Sequence, residues 1–121
     1  MLTVKSKLDL HAAIVKFIRE KCPEAVIVPG LGEFQDTDDL RIKSWQKGYS
    51  SGQPDLLILN PQTHYDGFAI EFKHPKGFRT TTDNQDEWLK TLRQMNWKTL
   101  VSHDLFEIVT HIVKYFDDQK F

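Results

Sequence analysis

Two short apolar runs, residues 56–59 and 68–72, stand on either side of a polar loop, residues 60–67. Pro54 precedes the first run and Asn60-Pro61 closes it. Asp66-Gly67 leads into the second and His74-Pro75 ends it. Apolar runs this short, bounded by turn residues, fit buried strands, and two of them joined by a loop fit a hairpin. The second run carries Glu71, and Lys73 follows directly after it. Side chains alternate across a strand, so Glu71 and Lys73 share one face while Ile70 and Phe72 take the other. Charges so placed are costly to bury unless they are paired or put to work. Asp55 stands at the start of the neighbouring strand, where its carboxylate meets that of Glu71 if the register allows.

Two carboxylates brought together repel, and a divalent cation resolves the repulsion. Hard oxygen donors suit Mg²⁺ or Mn²⁺. Such an ion polarises a phosphate oxygen and activates water, and a lysine beside it stabilises charge growing on the phosphoryl group. The same three residues also fit a plainer arrangement. Glu71 and Lys73 would then form a surface ion pair, with Asp55 capping the turn after Pro54. Spacing alone leaves both open.

The rest of the chain supplies a scaffold. Ser6, with Asp9 three residues on, opens a helical pattern whose apolar face is Leu10, Ile14, Phe17 and Ile18, and Pro23 stops it near Lys21. Residues 25–28 are a β-branched run, broken by Pro29-Gly30-Leu31-Gly32. Residues 33–39 read as an acidic loop; residues 40–45 fit either a short strand or a helical turn. A helix from about Asn84 carries Trp88, Leu89, Leu92 and Met95, and residues 97–101 form a strand. Asp104 caps a last helix with the face Leu105, Ile108, Val109, Ile112, Val113 and Phe116. The order is roughly αβββαβα: an α/β domain spanning residues 1–121, with a central mixed sheet flanked by helices.

A net charge of −1 gives no global basic field, although Lys43, Lys47, Lys73, Lys76, Arg79, Lys90, Arg93 and Lys98 concentrate in the middle of the chain. The single cysteine, Cys22, excludes an internal disulfide or a cysteine-built zinc site. Neither a secretory leader nor a bilayer-spanning run is visible, which fits an intracellular, soluble, cytoplasmic or nuclear domain.

Pro54-Asp55 followed by Glu71-Phe72-Lys73 resembles the PD-(D/E)XK signature of metal-dependent nucleases. The flanking residues narrow the likeness. Lys47-Gly48, Gly52-Gln53-Pro54-Asp55-Leu56, Gly67-Phe68-Ala69-Ile70-Glu71-Phe72-Lys73, Pro75-Lys76-Gly77 and Gln85 are similar to the VRR-NUC family, the virus-type replication-repair nucleases. The likeness extends over residues 47–115 and weakens before them. It implies a restriction-endonuclease-like core and a metal-dependent DNA endonuclease, structure-selective in replication, repair or recombination, with a viral source among those open. It also implies Mg²⁺ or Mn²⁺ on Asp55, Glu71 and the Phe72 carbonyl, with Lys73 as the catalytic lysine. Gln85 would face the site, branched or flapped DNA would be the substrate, and the chain would be a homodimer.

The chain departs from the family pattern in its first helix. The glutamate usual there is absent: Lys7, Leu8 and Asp9 precede His11, which stands at the place of a glutamine. Glu33 is the candidate for a third carboxylate. Gln85 has a competing role, since Thr82 and Gln85 have the spacing of a capping box. Lys43, Lys47, Tyr49, Lys76 and Arg79 are candidates for touching nucleic acid, with Trp45 beside them. Two further readings remain: a catalytically inactive DNA-binding or scaffold module, and a nuclease subunit active only with a partner.

Overall fold

The computed structural model describes residues 4–30, 37–77 and 81–118. The elements run α1 (Lys7–Lys21), β1 (Ile27–Pro29), α2 (Asp38–Gln46), β2 (Leu56–Ile58), β3 (Gly67–Phe72), α3 (Asp83–Gln94), β4 (Trp97–Ser102) and α4 (Leu105–Asp117). The four strands form one sheet in the order β1-β2-β3-β4. β1 and β2 are antiparallel, as are β2 and β3, while β3 and β4 are parallel. The sheet is therefore mixed, and β2 and β3 form the expected hairpin.

β3 is an interior strand, and all six of its residues are buried. One of its faces, Phe68, Ile70 and Phe72, joins Leu56 and Ile58 of β2 in the main core. α1 contributes Leu10, Ile14 and Ile18 to that core, and α4 contributes Ile108, Ile112 and Tyr115. α3 covers the opposite face: it packs on β4, and its Trp88 lies with Leu57 and Pro54. Phe68 is fully buried and its ring meets that of Tyr115 at 5.2 Å. Phe68→Ala is expected to cost about 3–5 kcal/mol in a denaturant melt, because the rigid core on both sides cannot close over the lost ring.

Local signals explain the helix ends. Ser6 Oγ accepts from the Asp9 amide at 3.0 Å, and α1 stops at Lys21 as Pro23 requires. Asp104 Oδ1 accepts from the amides of Phe106 and Glu107 at the head of α4. Cys22 caps the end of α1 and is buried. Two expectations are revised and one open choice is resolved. Of the two readings open for residues 40–45 the helical one holds, and it extends to the whole of α2, capped by Thr37, whose hydroxyl accepts from the Leu40 amide. The first strand sits two residues further on, with Val26 and Val28 exposed, because β1 is an edge strand with only one neighbour. On α4, Val113 faces solvent and Tyr115 takes the buried place, its hydroxyl donating to the Asn60 carbonyl at 2.6 Å. Among the described residues, no helix is long and apolar enough to cross a membrane.

Candidate active site

The register that pairs Leu56 with Ile70 brings Asp55 opposite Glu71 one step further along. The Asp55 carboxylate closes this end of the ladder, its Oδ2 accepting from the Phe72 amide at 2.9 Å. Two glycines allow that placement. The Gly30 amide donates to the Asp55 carbonyl at 2.9 Å, and a Cβ on Gly30 would stand 2.4 Å from the Pro54 carbonyl oxygen. Gly52 has φ +93°, and a Cβ there would meet the Asn84 backbone at 2.6 Å. The loop carrying Asp55 therefore presses directly on the start of α3, which carries Gln85.

Gln85 ties the parts together. Its Oε1 accepts from the Thr82 amide at 2.9 Å and from Lys73 Nζ at 3.1 Å, while its Nε2 donates to Glu71 Oε2 at 3.0 Å. Two donors on one end and a carboxylate on the other allow only this amide orientation. The capping box and the site contact are thus made by the same side chain at once. Lys73 Nζ also lies 3.8 Å from Glu71 Oε2.

Burial removes one of the arrangements open from sequence. Glu71 is 1% exposed and Lys73 8%, so they are not a surface ion pair. Glu71 Oε1 is buried with no hydrogen-bond partner, although the side chain's other oxygen accepts from Gln85 and from Lys7. Burial, and then the neighbouring Asp55 charge, push the Glu71 carboxyl up to about 7 against the opposing pull of Lys7 and Lys73. Between its ordinary value and about 7, the folded chain holds this proton more tightly than the unfolded chain. The metal-free fold therefore loses stability as pH rises through that window. Glu71→Gln removes the effect. In EDTA, the variant's stability relative to wild type is expected to rise between pH 5 and pH 8. A difference constant with pH in paired denaturant melts would contradict the shift.

An unpartnered, buried carboxylate oxygen beside a second carboxylate fits a hard divalent cation. Among the described residues, no group of three His, Cys, Asp or Glu side chains comes together, so the side-chain donors at hand are the two carboxylates. Glu33, the candidate third carboxylate, lies outside the described residues, as does Arg79.

The side chain that sequence reasoning missed is Lys7, at the first position of α1. Its ammonium lies 3.1 Å from Asp55 Oδ2 and 3.3 Å from Glu71 Oε2. Burial works against its charge, but Asp55 and then Glu71 outweigh burial and hold the ammonium above the usual lysine range. One signal was present in the sequence. A lysine directly after a helix cap opposes the positive end of the helix dipole and so needs a partner elsewhere.

Lys7, Asp55 and Gln85 line a cleft of about 580 Å³ together with His11, Tyr49 and Gly52, while Glu71 and Lys73 lie buried behind that lining. The His11 ring meets that of Phe72 at 4.8 Å in a tilted contact, on the cleft wall beside the site. Of the nucleic-acid candidates, Tyr49 lines the cleft, while Lys43, Lys47 and Lys76 are exposed outside its lining. Trp45 projects from α2 and is 70% exposed.

Comparison with known proteins identifies the family and the fold. The sequence pattern of the VRR-NUC domain matches residues 7–103. A solved structure described as "VRR_NUC domain protein" superposes with a TM-score of 0.78 at 18% identity, covering 99% of this chain and 95% of that one. No curated protein matches. The matched residues take in most of the chain, including α1, the β2–β3 hairpin and Gln85. The chain belongs to the VRR-NUC family, a family of nuclease-type domains.

Proposed function

We propose that the protein is a metal-dependent DNA endonuclease that hydrolyses phosphodiester bonds at the Asp55–Glu71–Lys73 centre. The observation that carries this reading is the convergence of those three side chains with Gln85: Gln85 joins Lys73 to Glu71 Oε2, Asp55 stands opposite Glu71, and Glu71 Oε1 is buried with no hydrogen-bond partner. Asp55, Glu71 and the Phe72 carbonyl would hold Mg²⁺ or Mn²⁺. When bound, the ion supplies Lewis-acid polarisation of a phosphate oxygen and a more acidic water.

The chain's own groups do the rest. Gln85 fixes the Glu71 carboxylate and the Lys73 ammonium relative to one another through its two ends. Lys73, almost fully buried, meets charge developing on the phosphoryl oxygens with an ammonium that water screens little. One ester P–O bond is exchanged for a bond to water oxygen, leaving a phosphate on one strand end and a hydroxyl on the other. Tyr49 in the cleft wall and Trp45 on α2 supply aromatic faces for bases. The exposed Lys43, Lys47 and Lys76 supply phosphate contacts. Branched or flapped DNA and a homodimer bringing two centres to one substrate belong to the same proposal. Incubation with labelled single-stranded, duplex, nicked, flapped and branched DNA in Mg²⁺, Mn²⁺ or EDTA tests it. Cutting in metal alone supports the reading, and no cutting of any substrate counts against it.

One observation favours a second reading, a DNA-binding module without chemistry. The Lys7 ammonium already neutralises part of the carboxylate pair that an ion would use. A module of that kind binds DNA equally well in EDTA and in Mn²⁺, and takes up no Mn²⁺ itself.

A further inference from the structure

Lys7 bridges the two acidic side chains from a different element, one helix and 64 residues away from Glu71. We propose, on the reading that Asp55 and Glu71 hold the ion, that Lys7 is the centre's own counter-cation and that a divalent ion binds by displacing it. The ammonium stands between Asp55 Oδ2 and Glu71 Oε2, within 3.3 Å of each. It satisfies the pair only partly, because Glu71 Oε1 stays buried without a partner. A doubly charged ion with several coordination positions can serve that oxygen as well, and one ammonium cannot.

Displacement is open to Lys7 in a way it is not to Lys73. The Lys7 side chain is 45% exposed at the cleft rim, so its head can swing into water on its flexible stem without unpacking the core. Its place at the head of α1 adds no hold, since the aligned amides there disfavour a cation. Among the described residues, the carboxylate pair is what holds it. Asp55 and Glu71 therefore remain paired without metal, and the affinity for metal is reduced by the cost of removing Lys7.

Calorimetric titration of Mn²⁺ into wild type, Lys7→Met and Glu71→Gln tests this without reference to activity. Methionine keeps the length and packing of the stem and removes the charge. Lys7→Met is expected to bind Mn²⁺ about tenfold more tightly than wild type, a change of about 1.4 kcal/mol. Glu71→Gln is expected to show no binding. A measurement on the unaltered protein stands beside it: the rate at which an amine-acylating reagent labels Lys7, read by mass spectrometry. Saturating Mn²⁺ is expected to raise that rate several-fold over EDTA, because the freed ammonium becomes accessible. If Lys7→Met binds no more tightly while Glu71→Gln loses binding, or if Mn²⁺ leaves Lys7 labelling unchanged, the displacement is wrong and the metal centre stands. If neither wild type nor Lys7→Met takes up Mn²⁺, the metal centre itself is wrong and the proposal fails with it.

Discussion

Replacing Glu71 by glutamine is expected to lower metal-dependent DNA cleavage by about a thousandfold while the fold persists. Glutamine matches the shape of the side chain and keeps one carbonyl oxygen where Glu71 Oε2 accepts from Gln85. It removes the charge that a hard cation requires. The change takes away a buried carboxylate with one unsatisfied oxygen, which offsets part of the cost of leaving Lys73 without its acidic neighbour. The rate is read with saturating Mn²⁺ on the preferred substrate, with circular dichroism as the control for folding. A folded Glu71→Gln protein that cuts at the wild-type rate would remove Glu71 from the centre.

Lys73→Met is expected to cost about a hundredfold to a thousandfold in rate and to leave Mn²⁺ affinity nearly unchanged. Lys73 hydrogen-bonds to Gln85 and approaches Glu71 Oε2 only to 3.8 Å, beyond hydrogen-bond reach, so its loss leaves the carboxylates in place. Gln85 Oε1 still accepts from the Thr82 amide, and its Nε2 still holds Glu71. The separation of rate from metal binding is the informative result. If Lys73→Met weakens Mn²⁺ binding as much as Glu71→Gln does, Lys73 is a support for the glutamate and makes no contact with the reacting phosphate.

The hairpin and the three residues on it were legible because their signals are local. Pro54 and Asn60 bound one strand, Gly67 and Pro75 bracket the next, and strand alternation alone puts Glu71 and Lys73 on one face. The helices with a strong apolar stripe, α1 and α4, were legible for the same reason, down to their Ser6 and Asp104 caps. α2 was not. Leu40, Ile42 and Trp45 spread around it and none is buried, so no apolar period exists to be read. Its helix is held by the Thr37 cap and an Asp38–Arg41 pair, which leave no mark on hydrophobic patterning.

The parallel pairing of β4 with β3 was equally hidden, because the choice of sheet neighbour is settled by how α3 crosses over the sheet. Gln85 was seen as cap or site residue. Only the placement of α3 against Gly52 shows how one amide is both. Lys7 required the three-dimensional meeting of the head of α1 with the ends of β2 and β3, which no spacing along the chain encodes.

The most direct measurement is the rate of cleavage of a labelled panel of DNA structures by wild type and Lys73→Met, each in Mn²⁺ and in EDTA. Cutting by wild type in Mn²⁺ alone, reduced at least about a hundredfold in folded Lys73→Met, is the expected result. Cutting that survives EDTA, or that Lys73→Met retains in full, would contradict a metal-dependent centre built on Asp55, Glu71 and Lys73.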